Sequence, residues 1–304
     1  EVMVNLHHLG SQIRDEIGDG GNLDLSICYS EEHPTLLGTG GGIKRARAFL
    51  EGGPFVVMNG DTLVDADLPR VLEAHAASGA AATMVLADAL PGEPFGLVAV
   101  DAEMRVRELA GRLRWKGRVH RTGHFCGIHI MESRVFEAMP DRETFCINAD
   151  VYPRLIAAGE PVLGCFLARS FSDVGTPERY LRTAEALLDG RFASVPLARA
   201  PGWSPGDAAG GAAELRISRT ARIAPGARIE GPVYIGPGAR VEGRAAVGPY
   251  ALLGAGSQVG EGCRVNHAIV WEASSLPAGD TLERAILTPR QRVPVESKPA
   301  PLEE

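Results

Sequence analysis

The chain has 304 residues, of which 45% are apolar and 23% charged, with a formal net charge of −7. That length favours two domains and that balance a globular protein with a full core, while the negative charge and the lack of a dense Lys/Arg block argue against a nucleic-acid or anionic-membrane surface. Cys28, Cys126, Cys146, Cys165 and Cys263 show no short paired spacing and no apolar run reaches membrane-spanning length. These cysteines read as small buried hydrophobes in a reducing, cytoplasmic compartment, with no secretory signal at the start of the chain.

The chain opens at Glu1, inside a strand-like run and without an initiator Met. Val2 to Leu6 is predicted as a strand. His8 to Ile17 carries Leu9, Ile13 and Ile17 at intervals of four, which predicts a one-faced helix ending at Gly18-Asp19-Gly20-Gly21. Leu23 to Tyr29 alternates as a strand. The run Leu37-Gly38-Thr39-Gly40-Gly41-Gly42-Ile43 reads as a glycine-rich turn, followed by a helix through Leu50. Phe55-Val56-Val57-Met58, ended by Asn59-Gly60-Asp61-Thr62, reads as a strand buried on both faces that stops at a turn. A helix near Leu68 to Ala77 and a strand over Ala82 to Ala87 follow, and the alternation implies a layered sheet with parallel crossovers.

From Pro94 to Ile130 the pattern is strand-rich: Phe95 to Val100, Val106 to Leu109 and Phe125 to Met131 are expected to form a flap on the sheet. Asn148 is expected to cap a helix over Ala149 to Ala158, stopped by Gly159. Val162 to Leu167 reads as a strand. Thr176-Pro177-Glu178 opens a helix with a capping residue, a proline at its first position and an acid in its first turn. Arg191 to Ala213, rich in proline and glycine, reads as a connector. Beyond it, Ile217, Ile223, Ile229, Ile235, Val241, Val247, Leu253, Val259 and Val265 recur every six residues, often followed by a small residue such as Gly236, Gly248, Gly254 or Gly260. One aliphatic per hexad is the signature of a β-helix, and nine steps make about three coils.

Three stretches carry chemistry. In open α/β sheets ligands sit beyond the carboxyl ends of strands, which is where Asp61 is delivered; turn chemistry alone also explains Asn-Gly-Asp. Ser172-Asp173-Val174-Gly175-Thr176-Pro177-Glu178 brings a second carboxylate to a similar junction, and two converging carboxylates suit a hard divalent cation. The glycine-rich turn frees main-chain N–H groups to meet phosphates or to grip a base edge, although a plain tight turn explains it too. It is not a Walker motif, since Lys44 is followed by neither Ser nor Thr.

The order glycine turn, Asn59-Gly60-Asp61, flap, Asp173-Val174-Gly175-Thr176-Pro177-Glu178-Arg179-Tyr180 and hexapeptide repeats resembles the sugar-1-phosphate nucleotidyltransferases over nearly the whole chain. Within them the chain is most similar to the bacterial branch that includes mannose-1-phosphate guanylyltransferases with a β-helix tail. The resemblance implies an α/β Rossmann-like mixed sheet over residues 1–190, a linker over 191–213, a short left-handed parallel β-helix over 214–275 and a tail over 276–304. It implies that Asp61 and Asp173 hold Mg²⁺, that Gly38, Thr39, Gly40 and Gly41 contact the nucleotide, and that Gly96, Gly127 and Asn148 line the sugar-phosphate pocket. The implied reaction is in-line attack of a sugar-1-phosphate oxygen on the α-phosphorus of a nucleoside triphosphate, expelling pyrophosphate, with GTP and mannose-1-phosphate as the substrates. That phosphate is already ionised, so alignment and charge neutralisation are needed rather than a general base.

The sequence departs from the family pattern in three places. The first strand and the loop Gly-x-Gly-x-Arg-x-x-Pro would precede Glu1, so the chain as given is expected not to turn over. Gly111-Arg112-Leu113-Arg114 stands where Glu-Lys-Pro is common, and Phe125-Cys126-Gly127 replaces Asn-Ala-Gly. N-acetylmuramate-1-phosphate uridylyltransferases share Thr-Gly-Gly-Gly-Ile and also lack Glu-Lys-Pro, so muramate or glucose with a uridylyl or thymidylyl group is an alternative, as is a catalytically silent regulatory subunit. An acyltransferase seated on the coils would want a histidine base, and His267 alone is available there. His7, His8, His124 and His129 read as structural rather than metal-binding, Trp115 and Trp203 as loop residues without aromatic partners, and Glu303 and Glu304 as solvated tail. The repetitive β-helix face predicts a homo-oligomer.

Overall fold

A computed structural model describes residues 1–89, 96–111, 113–193, 203–205 and 215–296. In chain order up to the hexapeptide region the elements are β1 (Val2–Leu6), α1 (Gly10–Ile17), β2 (Ile27–Glu31), α2 (Gly38–Arg45), α3 (Arg47–Leu50), β3 (Phe55–Met58), β4 (Thr62–Ala66), α4 (Leu68–Ser78), β5 (Ala82–Asp88), β6 (Leu97–Val100), β7 (Val106–Leu109), β8 (Arg121–Met131), a π turn (Ile147–Val151), α5 (Tyr152–Ala157), β9 (Val162–Cys165), β10 (Ala168–Asp173) and α6 (Pro177–Leu188). They fall into two compact units, Glu1–Asn59 with Asp67–Ala168, and Gly60–Ala66 with Arg169–Glu304.

The first unit is built on a mixed sheet in the order β7-β6-β8-β5-β9, with β3 also paired to β8. Among the described residues only β5 and β9 run parallel in it; β1 and β2 make a separate parallel pair. Ala82 to Ala87 of β5 are buried throughout, as a central strand covered on both faces requires. Its Ala82, Met84 and Leu86 share one core with Val98, Val100, Met131, Ile147 and Tyr152, and burying each large side chain contributes roughly 1.5–3 kcal/mol.

Several expectations change here. The run at Phe55 is not buried on both faces: β3 ends at Met58 and pairs only with β8, leaving Val56 39% and Met58 56% exposed. The predicted flap is part of the sheet itself, because the eleven residues of β8 are long enough to seat β6 at one end and β3 at the other. Its first segment begins at Leu97; Phe95 lies outside the described residues. The strand expected at Leu23 starts at Ile27, after a single 3-10 turn over Gly21–Leu23.

The glycine-rich run is not a turn but the first two turns of α2. Its glycines answer to packing. A Cβ on Gly40 would stand 2.4 Å from the Phe145 ring, and one on Gly41 would stand 2.2 Å from the Glu143 carbonyl oxygen. No other residue lets the 143–147 loop lie so close to a helix. Gly41→Ala is therefore expected to lower stability by about 2–4 kcal/mol, since backbone rather than a flexible side chain must move; denaturant midpoints check this, and a change below about 0.5 kcal/mol would remove the packing explanation.

In the second unit the six-residue repeat forms a parallel β-solenoid. Three ladders run Ile217-Ile235-Leu253-Val270-Leu287, Ile223-Val241-Val259-Leu276 and Ile229-Val247-Val265-Leu282, buried except at their ends. The coils number about four rather than three, because the spacing shortens after Val265 instead of ending. Leu253 pairs with Val270 and Val270 with Leu287, 17 residues on in each case, where Ile235 and Leu253 are 18 apart. One residue is lost at one corner of each later coil, which hides them from a strict hexad count. The expected tail thus contributes Thr281–Leu287 to the solenoid and Arg292–Pro294 as an antiparallel cap on it.

Helix α6 groups with the solenoid: Leu181 and Ala184 bury against Ile269, Ile286 and Val295. Thr176 caps it, its hydroxyl accepting the Arg179 N–H, as the sequence indicates. Most of the expected linker lies outside the described residues, but Trp203–Pro205 pairs as a strand with Leu215–Ser218 rather than lying in a loop. Among the described residues no helix is long and apolar enough to cross a membrane.

Candidate functional site

Two of the expected site residues lie at the ends of paired strands in the second unit. β4 starts at Thr62 and β10 ends at Asp173; the two strands pair, and the Val174 N–H donates to the Asp61 carbonyl at 2.9 Å. Asp61 and Asp173, far apart in the chain, therefore stand beside each other at one end of a strand pair.

Their carboxylates are prepared differently. Asp61 is exposed, and among the described residues its carboxylate makes no hydrogen bond or ion pair. Asp173 is 21% exposed, and its Oδ1 accepts from the Gly175 N–H and from Arg179 Nη1, both at 2.9 Å. Burial pushes the Asp173 carboxyl up, but the Gly175 and Arg179 bonds more than offset it and hold the group below the usual carboxylate range. Oδ2 is left open. One free carboxylate and one free oxygen fit Mg²⁺, which takes one or two carboxylates and completes its shell with water and substrate phosphate. No cluster of three or more His, Cys, Asp or Glu exists among the described residues, so a closed protein cage is not on offer.

The first unit holds the remaining expected residues in two places. Along one edge of β8 the partner changes from β6, where Leu97 faces His124, to β3, where Met58 faces Ile128. Between them the strand bulges against β5 and Gly127 adopts φ +81. The Gly127 carbonyl accepts the Asn59 N–H at 2.8 Å. Gly96, one residue before β6, and Gly127 are thus brought to one break in the sheet edge, the kind of irregularity that re-aims strands beside ligand sites.

The second place is α2 against the 143–147 loop. Thr39 is exposed, and its Oγ1 accepts the Ile147 N–H at 3.1 Å. Gly40 and Gly41 donate their N–H groups to the Phe145 carbonyl at 3.0 and 3.3 Å. Those two donors are occupied by the protein, so the run is not an open phosphate cradle; Gly38 and Thr39 remain at the surface of α2. Asn148 does not cap a helix. It sits second in the π turn Ile147–Val151, which Cys146 precedes without a side-chain cap, and its Oδ1 is buried with no hydrogen-bond partner among the described residues. An orphaned oxygen in a π turn, a geometry common at functional sites, is a group waiting for a donor.

His129 is buried against Tyr152, with Nδ1 and the hydroxyl 2.5 Å apart, and Phe125 lies over the ring. The Arg107 guanidinium lies over Trp115, 5.4 Å from its ring centre. A concavity of about 480 Å³ on the solenoid, lined by Arg222, Ile223, Arg240 and Glu242, contains none of these residues.

Residues 1–190 match the family model described as nucleotidyl transferase. The chain belongs to the nucleotidyl transferase family. It is 32% identical over 285 residues to a mannose-1-phosphate guanylyltransferase of Mycobacterium tuberculosis, covering 93% of this chain and 70% of that protein. It is 27% identical to a UTP–glucose-1-phosphate uridylyltransferase of Synechocystis, covering 93% and 74%. Among solved structures, HddC from Yersinia pseudotuberculosis matches with a TM-score of 0.50 at 23% identity, over 61% of this chain and 77% of that one, a likeness of fold. Membership of the sugar-1-phosphate branch accounts for the mixed sheet, the two acidic motifs and the solenoid together. The motifs do not reveal that Arg179 clamps Asp173, nor the part of the 143–147 loop, which depends on contacts more than 100 residues away in the chain.

Proposed function

We propose that this nucleotidyltransferase joins GTP to mannose-1-phosphate, releasing pyrophosphate and forming a nucleotide sugar, in the cytoplasm. The adjacency of Asp61 and Asp173 carries the reading, and the 32% identity to a guanylyltransferase along nearly the whole chain supports the choice of substrates. In this reading Asp61 and the open oxygen of Asp173 hold Mg²⁺, which would neutralise charge between two anionic phosphates when bound. Arg179 keeps Asp173 ionised and aimed. Gly38 and Thr39 meet the nucleotide, while Gly40 and Gly41 support them from beneath; Gly96, Gly127 and the Asn148 amide contact the sugar phosphate, where the orphaned oxygen accepts from a sugar hydroxyl. No residue is asked to remove a proton, since the attacking phosphate is already ionised.

A second reading, uridylyl transfer to glucose-1-phosphate, is favoured by the similar coverage of the uridylyltransferase relative. A pyrophosphate-release screen of the full natural protein decides between them, with GTP, UTP, CTP and dTTP against mannose-, glucose- and N-acetylmuramate-1-phosphate. We expect kcat/KM for GTP with mannose-1-phosphate to exceed every other pair by about tenfold or more, a gap that pocket contacts commonly produce. A preference for UTP selects the second reading, and no release with any pair selects a silent, regulatory chain.

A further inference from the structure

The π turn that presents Asn148 is closed by a two-way bond. The Cys146 N–H donates to Asp150 Oδ2 at 2.9 Å, and the Asp150 N–H donates back to the Cys146 carbonyl at 2.9 Å. The other carboxylate oxygen of Asp150 accepts from Arg142 Nη2 at 2.6 Å, and Arg142 Nε donates to the Thr144 carbonyl at 3.1 Å. Asp150 is therefore bonded to both ends of the 142–146 loop. That loop is in turn stitched to α2: Phe145 donates to the Leu37 carbonyl at 3.0 Å and accepts from Gly40 and Gly41, while Ile147 donates to Thr39. The Thr39 hydroxyl lies 3.7 Å from Cys146 Sγ. The Cys146 N–H, against the effect of burial and with the Arg142 guanidinium, holds the Asp150 carboxyl below its ordinary range.

We infer that Asp150 is a positioning residue for substrate binding, acting through the 142–147 loop on Thr39 and Gly38 and through the π turn on Asn148. The inference rests on the proposed roles of those three residues. Asp150 touches neither substrate in it; it sets how far the loop and the first turn of α2 can relax when the site is empty. Loosening such a wall weakens ground-state and transition-state binding alike, so Michaelis constants move and turnover does not.

The test compares Asp150→Ala, which loses both bonds, with Asp150→Asn, which keeps an acceptor for Cys146 but loses the ion pair, and with Arg142→Ala. For Asp150→Ala we expect KM for both substrates to rise about tenfold with kcat within about threefold of wild type; Asp150→Asn and Arg142→Ala should each give about a threefold rise. Independently, alkylation of Cys146, followed on its tryptic peptide, should accelerate about tenfold in Asp150→Ala as the loop opens. Michaelis constants within twofold of wild type in a folded Asp150→Ala, with only a lowered Tm, would overturn the inference and leave a plain stability clamp. If the wild type turns over no substrate pair, the proposed function has failed instead. Cys146 alkylation then decides the clamp by itself, and an unchanged rate would refute it.

Discussion

Asp61→Asn and Asp173→Asn should each lower kcat/KM by about 10²–10³-fold while leaving the fold intact, a loss of about 3–4 kcal/mol of transition-state stabilisation. Each change keeps the side-chain volume and removes one negative charge. In Asp61 no structural bond is lost, because its carboxylate has no partner among the described residues, so circular dichroism and Tm should match wild type. In Asp173 the Arg179 ion pair is lost as well, and a small drop in Tm is expected beside the kinetic effect. Asp67→Asn serves as the control, since Asp67 caps α4 by accepting the Arg70 N–H and has no assigned part in the chemistry. The kinetic defects should ease partly as Mg²⁺ is raised, because a weakened cation site fills at higher concentration. Retention of more than a third of wild-type kcat/KM in either variant would dissolve the metal assignment.

Acid should destabilise the protein through His129 between pH 6.5 and about 3. Burial alone lowers its pKa from 6.5 to about 3, the residue being 2% exposed with no anionic neighbour among the described residues to favour the cation. The sign follows from which state binds the proton: below pH 6.5 the unfolded chain protonates this histidine and the native state does not. Stability is complete above 6.5 and falls as the pH drops through the window, by about 2 kcal/mol at pH 5 and about 4–5 kcal/mol at its lower end. His75, buried beside Thr83, is shifted the same way by burial, partly offset by Glu132, and adds to the slope. His129→Gln keeps an acceptor for the Tyr152 hydroxyl but cannot titrate. Its unfolding free energy should be lower than wild type at pH 8 and should lose about 2 kcal/mol less between pH 7 and pH 5. Parallel pH profiles for variant and wild type would show that His129 is not the group responsible.

Sequence motifs and three-dimensional contacts contributed different parts of this picture. Helix α6 was legible from Thr176-Pro177-Glu178 because a cap, a proline and an acid act within one turn. The solenoid was legible from six-residue spacing because each coil repeats the same local geometry on its neighbour. The family assignment needed only the order of the motifs. By contrast, the glycines of α2 read as a turn in isolation, since nothing nearby reveals that Phe145 and Glu143 lie against them. The last solenoid coils escaped the count because one corner residue is missing, a change the stacked register absorbs and a linear period does not.

The amino-acid order alone settled which elements repeat, where α6 begins and which residues could bring carboxylates to strand ends, all properties carried by short stretches of chain. Only tertiary contacts decided that β3 is an edge, that α6 rests on the solenoid and that Asp61 stands beside Asp173. Those outcomes depend on which distant surfaces meet, and that is set by long-range packing and strand pairing that no local window contains.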